Sequence, residues 1–203
     1  MRRRIFIKIL SALLIAPATN AGVFFNGHGE RSNDSQRALE NGLRRPYPAP
    51  DFAAIRVWLN SRPLTMSGLR GKVVLVEFWT YGCINCVHTL PHVTAWDRKY
   101  RGKGLIIIGV HSPEFEYEKQ PANVKNAVAV HQIRYPVALD NRLETWSNFN
   151  NRYWPTLYLI DRDGRVVYTH IGEGEYDVTE YNIRRLLDRK PDGAAPLNSD
   201  GRH

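Results

Sequence analysis

At 203 residues, 43% hydrophobic and 24% charged, the chain has a globular protein's composition and is long enough for one ordinary core plus tails. Two cysteines are too few for a disulfide scaffold. The net charge of +8 includes Arg2, Arg3, Arg4 and Lys8 at the very start, and the other basic residues are scattered without interleaved aromatics, which excludes a nucleic-acid binder.

Residues 1–21 combine a basic start, an apolar centre from Ile5 to Ala16 and small residues around Ala16-Pro17-Ala18 and Thr19-Asn20-Ala21. That is the pattern of an export signal, too short and interrupted for a spanning helix; left uncleaved, it would act as a membrane anchor. Arg3-Arg4-Ile5-Phe6-Ile7-Lys8 resembles the twin-arginine consensus, the alternative being an ordinary secretory signal with an accidental arginine cluster; either route exports the chain. The mature chain is therefore expected to be periplasmic or otherwise extracytoplasmic. Residues 22–49 are polar and without sustained periodicity, as in a flexible lead-in.

The ordered domain is expected over 50–189. Val57-Trp58-Leu59 and Pro63-Leu64-Thr65-Met66 suggest a small hairpin around Asn60-Ser61-Arg62. Lys72 to Trp79 and Gly104 to Val110 are continuous apolar runs, expected as buried parallel strands with the helix from Cys86 to Tyr100 as their crossover. Gln120 to Gln132 has helical spacing, Tyr135 to Leu139 fits a short strand, and Thr145 to Phe149 a short helix. Leu157 to Ile160 and Arg165 to Ile171 flank Asp161-Arg162-Asp163-Gly164, a strong hairpin signal. A final amphipathic helix is expected from Thr179 to Leu187, then a frayed tail over 190–203. This order implies an α/β fold with a mixed central sheet flanked by helices.

Both cysteines lie in Cys83-Ile84-Asn85-Cys86, between a strand and a helix. Unpaired N–H groups and the positive dipole end at a helix N-terminus favour a thiolate, the attacking species in disulfide exchange. Cys83, at the tip, is the expected nucleophile and Cys86 the resolving thiol. A zinc site needs about four ligands, and only His88 and His92 lie close by, on the same helix as both cysteines. Haem attachment requires histidine directly after the second cysteine, where Val87 stands. No metal is expected. Glu77, an acid in an apolar strand on the face of Leu75 and Trp79, reads as a buried carboxyl of raised pKa. His111, His131 and His170 read as surface or satisfied core residues.

Pro50-Asp51-Phe52, the run Leu69 to Trp79, Cys83-Ile84-Asn85-Cys86 with Leu90-Pro91, and Tyr153-Trp154-Pro155-Thr156 together resemble the thioredoxin-like redoxins related to TlpA and ResA, and most of all the C-terminal domain of DipZ-type proteins. The resemblance covers roughly residues 50–188 and implies the thioredoxin fold. It implies a thiol–disulfide oxidoreductase in which Glu77 assists proton transfer at Cys86, and Pro155 is a cis-proline that exposes the Trp154 backbone to a substrate segment. Pro91 would kink the cysteine helix, and Trp79 and Tyr81 would pack around the dithiol, with Tyr81 and Trp154 on the substrate side. Protein disulfides would be the substrates, in cytochrome c maturation or envelope thiol homeostasis, with electrons from a membrane donor, no bound cofactor and a monomeric chain. Trp154 and Gly82 depart from the family's usual small residue and aromatic, and Gly82 is expected to open the dithiol to larger partners. Two other functions stay in view. Thr80, three residues before Cys83, fits a peroxiredoxin-type peroxidase, although Val76 replaces that motif's proline; a copper carrier would use Cys83, Cys86 and a histidine.

Overall fold

The computed structural model describes residues 38–189. Seven strands form one mixed sheet: β1 (Tyr47–Pro48), β2 (Trp58–Leu59), β3 (Val73–Trp79), β4 (Leu105–His111), β5 (Val137–Leu139), β6 (Thr156–Ile160) and β7 (Arg165–Ile171). Their spatial order is β1-β7-β6-β3-β4-β5-β2. The α-helices are α1 (Ile84–Tyr100), α2 (Pro121–Val130), α3 (Glu144–Asn148) and α4 (Tyr176–Asp188).

The central strand β3 is buried at every position because it has a neighbour on each edge and a packed layer on each face. It runs parallel to β4 and antiparallel to β6. Strand alternation divides its side chains between two cores. Val73, Leu75 and Trp79 join Leu90, Val93 and Trp96 of α1, Val124 and Val128 of α2, and Ile183 and Leu186 of α4. Val74, Val76 and Phe78 face Met66, Leu69, Phe149 and Tyr158, with Phe52 and Trp146 packed alongside. The parallel β3–β4 pair requires a crossover, which α1 supplies. The charge that breaks the β3 apolar run, Glu77, thus falls on the α1 side.

The expected long strands, the crossover, the hairpin and the short α3 are all present. Three expectations need correction. Trp58 and Leu59 pair with Ala138 and Val137 of β5, not with residues 63–66, which form no strand and lead into a 3-10 turn over Ser67–Leu69. Their apolar side chains gain more by covering the sheet edge, where Asn60 Nδ2 also donates to the Ile133 and Tyr135 carbonyls at 3.0 Å, than a local hairpin of two exposed arms would provide. The end of the expected lead-in is attached to the sheet: the Leu43 N–H donates to the Val167 carbonyl at 2.8 Å, and Tyr47 and Pro48 pair with Val166 and Arg165. Buried Asn182 of α4 there exchanges two 2.8 Å hydrogen bonds with the Glu40 backbone. Finally, α4 begins at Tyr176, three residues before Thr179, whose backbone N–H bonds to the Glu175 carbonyl inside the first turn.

α1 runs through Pro91 as one helix of 17 residues. Proline lacks the N–H that would bond the carbonyl four residues earlier. Residues 1–37 and 190–203, on which the expected export signal and frayed tail fall, lie outside the described residues. Among the described residues no helix is long and apolar enough to cross a membrane.

Candidate active site

The C-terminal end of β3 passes through Thr80-Tyr81-Gly82 to Cys83, the N-cap of α1. Cys83 adopts an extended backbone conformation there, and its Sγ accepts the Cys86 N–H at 3.3 Å. A sulfur in that place satisfies one of the donors that a helix start leaves open. The Cys83 N–H in turn donates to the Thr80 carbonyl at 3.3 Å, closing a tight turn. Both cysteines are free thiols, but their surroundings differ: Cys83 is half-buried, and Cys86, one turn inside the helix, is fully buried. Burial, and then the neighbouring Cys83, push the Cys86 thiol far above its ordinary range.

Glu77 lies beneath, fully buried on the α1 side of β3. Burial pushes its carboxyl up to about 8, against the pull of a hydrogen bond donated by the Tyr135 hydroxyl to Oε2 at 2.9 Å. Its Oε1 has no partner among the described residues, and neither has the nearby Trp79 Nε1. Gly109 stands opposite Glu77 on β4. A Cβ there would lie 2.9 Å from Trp79 Nε1 and 3.1 Å from the Tyr135 ring, so the missing side chain is what admits both aromatics to the carboxyl.

The Trp154–Pro155 peptide bond is cis, directly before β6. Trp154 is half-buried; its Nε1 donates to the Ser112 carbonyl at 3.0 Å and its ring leans on Trp146 at 4.3 Å. Tyr81 stacks on His111 at 5.5 Å and donates through its hydroxyl to the Tyr117 carbonyl at 3.1 Å. The turn between β3 and α1 thus carries Tyr81 and Cys83, the first turn of α1 carries Cys86, and Glu77 lies on β3. Trp154 and Pro155 are the two residues directly before the neighbouring strand β6.

The space left by the missing Gly82 side chain is occupied by Glu118. The Oε1 of Glu118 accepts the Gly82 N–H at 3.0 Å and would lie 2.4 Å from any Cβ placed on that glycine. Of the histidines, His111 is fully buried, with Nε2 3.3 Å from the Thr80 hydroxyl; burial pulls its pKa down to about 4, so it is neutral near pH 7. Its Nδ1 is unpartnered among the described residues, so the expectation of a fully satisfied core histidine is not met. His88 lies 3.3 Å from Glu173, and His92 stacks on Tyr176 at 3.6 Å. Among the described residues no group of three or more His, Cys, Asp or Glu side chains could hold a metal ion. Tyr135 and Glu118 are the site neighbours that sequence reasoning passed over, while His111 was read there only as a surface or satisfied core residue. Only Tyr135, at the head of an apolar run, carried any signal, and that signal was strand propensity.

Residues 47–187 match the redoxin family. The chain belongs to the redoxin family. This redoxin is 50% identical to the DipZ proteins of Mycobacterium bovis and Mycobacterium tuberculosis over 185 residues, 89% of its own length but only 26% of theirs. It therefore spans about a quarter of those relatives. It is 30% identical to the thiol-disulfide oxidoreductase ResA of Bacillus cereus over 138 residues, covering 68% of this chain and 76% of ResA. Among solved structures, a thiol-disulfide isomerase from Corynebacterium glutamicum superposes with a TM-score of 0.63 at 27% identity, over 70% of this redoxin and 98% of that chain. The fold is thioredoxin-like.

Proposed function

We propose that this redoxin is an extracytoplasmic reductant of protein disulfides that works through Cys83 and Cys86. The observation that carries the reading is the asymmetry of the two sulfurs: one half-exposed at a helix N-terminus, the other buried one turn below it beside Glu77. Cys83 thiolate attacks one sulfur of a partner disulfide, the partner S–S bond breaks, and the first partner thiolate leaves and takes a proton. Cys86 then gives up its proton to Glu77 and attacks Cys83 Sγ. The mixed disulfide breaks, the second partner thiol is released, and the Cys83–Cys86 disulfide remains. The partner gains two electrons and two protons, which a membrane donor restores to the redoxin. Tyr81, Trp154 and Pro155 would contact the partner chain.

This reading predicts that the reduced protein accelerates insulin disulfide reduction while consuming no peroxide above the rate of free thiols. Peroxide turnover faster than insulin turnover would favour the peroxidase. The Thr80 hydroxyl, which that chemistry would need beside Cys83, lies within hydrogen-bond distance of buried His111. Tight copper binding by the reduced protein would favour the carrier, for which the neighbouring histidines are turned to Glu173 and Tyr176.

The location rests on the Arg3-Arg4 signal. A twin-arginine route carries folded cargo, and a Cys-x-x-Cys bridge closes so short a loop that the fold should depend on it only weakly. Replacing Arg3 and Arg4 by lysines should leave folded, full-length precursor in the cytoplasm, detected by fractionation. Normal export of that variant would assign the general secretory route instead.

A further inference from the structure

Glu118 is an acid with no exposed surface in a short loop, and sequence alone attached no role to it. It lies in a 3-10 turn, Glu116–Lys119, between β4 and α2. Both of its oxygens are engaged by backbone N–H groups. Oε2 accepts from Glu114 at 2.6 Å and Phe115 at 3.0 Å, which are local bonds that any capping carboxylate could make. Oε1 accepts from Gly82 at 3.0 Å, 36 residues away and directly before the nucleophile. Gly82 has no unusual backbone conformation that would demand glycine; the demand comes from the carboxylate, which occupies the place of its Cβ. A second link is parallel to the first, from the Tyr81 hydroxyl to the Tyr117 carbonyl at 3.1 Å.

The loop held in this way presents two stacked aromatic rings to solvent. Phe115 is 48% exposed, Tyr117 is 55% exposed, and their ring centres are 5.6 Å apart at 5°. Ile84, the residue after Cys83, is 63% exposed. Large apolar side chains left in water beside a reactive sulfur are continuous with the place where the attacked disulfide must lie.

We propose that Glu118 is a positioning residue that clamps the Phe115–Tyr117 aromatic wall onto the turn of the nucleophile, so that the wall receives an extended, apolar polypeptide segment flanking the attacked cysteine. The proposal rests on the oxidoreductase reading. It explains both the glycine before Cys83 and the buried acid as two halves of one device: Gly82 is small so that the carboxylate can enter, and the carboxylate enters to hold the wall. Charge-assisted bonds of this kind are among the stronger hydrogen bonds, so a single one can set a loop's position.

The test is insulin reduction by the full-length protein with Glu118→Ala, Gly82→Ala and the double variant, together with thermal melting. Wild-type turnover of insulin checks the underlying reading; its absence would remove that reading and leave the clamp without a reaction to serve. Given wild-type turnover, Glu118→Ala should raise the insulin KM about tenfold, the scale of one hydrogen bond to a charged group, with a much smaller change in kcat. Gly82→Ala should do the same by displacing the carboxylate, and it tests the proposal even where Glu118→Ala fails to fold. In the double variant the effects should not add, because each removes the same contact. A wild-type KM in Gly82→Ala, additive effects, or a fall in kcat that follows melting temperature with KM unchanged would each overturn the clamp.

Discussion

Cys83→Ser is expected to reduce insulin no faster than the supplied dithiol reductant alone, and Cys86→Ser to stop half-way, with the partner attached through Cys83. The two outcomes follow from where each sulfur lies. Cys83 is the one a partner can reach, at the helix tip and only half-buried, and a serine hydroxyl there cannot attack sulfur as a thiolate does. Cys86 has no exposed surface, so a disulfide in a protein partner cannot approach it directly. Its sulfur lies beneath Cys83, whose Sγ already accepts the Cys86 N–H at 3.3 Å. Without Cys86 the first exchange proceeds and the second has no attacking group. Mass spectrometry of Cys86→Ser after exposure to a disulfide partner should show the added mass, removable by reductant and mapping to Cys83. Adducts on Cys86 in the Cys83→Ser protein, or full turnover in either variant, would reverse or remove the assigned roles.

Glu77→Gln should make the protein more stable above pH 8 and slower to resolve the mixed disulfide. Both effects have one origin, the fully buried carboxyl whose pKa burial raises from 4.5 to about 8. Below pH 4.5 the group is protonated in the folded and unfolded chain alike and has no differential effect. Between 4.5 and 8 the unfolded chain releases this proton and the folded chain keeps it, so stability falls as pH rises, and the loss is complete above 8. At about 1.4 kcal/mol per pH unit the ceiling on this loss is on the order of 5 kcal/mol. Glutamine removes the titration and can still accept from the Tyr135 hydroxyl. Urea midpoints should therefore agree near pH 4 and diverge by pH 9, with the variant higher.

The kinetic half has the opposite sign. The Cys86 thiol, pushed far up by burial, needs a base beside it, and the groups facing Glu77 are Cys86 from α1 and Tyr135 from the segment before β5. The wild-type resolving rate should climb with pH through about 8 as Glu77 ionises, then level. The glutamine variant should lose that rise and run about 10²-fold slower or more, the usual scale for a positioned base. A variant that matches wild type across the pH range would make Glu77 a structural residue only.

Much of this protein could be read directly from local chemistry. β3 and β4 are almost wholly apolar, Glu77 and His111 excepted, because central parallel strands are covered on both faces, so they stand out in any sequence. The dithiol was legible because two cysteines at that spacing between a strand and a helix have few other uses. Glu77 was placed on the face of Leu75 and Trp79 by alternation alone, since a period of two leaves no choice of face; that α1 covers this face was a matter of packing.

What local chemistry could not decide was which distant segments meet. Trp58 and Leu59 had equal local claim to a hairpin with residues 63–66; the open edge of β5, nearly eighty residues away, took them because only there did their side chains reach the core. The segment at 38–48 carries ordinary polar composition, yet β7 and Asn182 hold it, and neither contact has a signature along the chain. Tyr135 and Glu118 are the sharper cases. A tyrosine before a strand and a glutamate in a loop are common residues in common places. The fold makes one the hydrogen-bond donor to the buried acid and the other the acceptor of the Gly82 N–H. Burial and partnership are properties of the packed sheet, and they determine the chemistry at Glu77, Cys86 and Gly82, which composition and spacing could only locate.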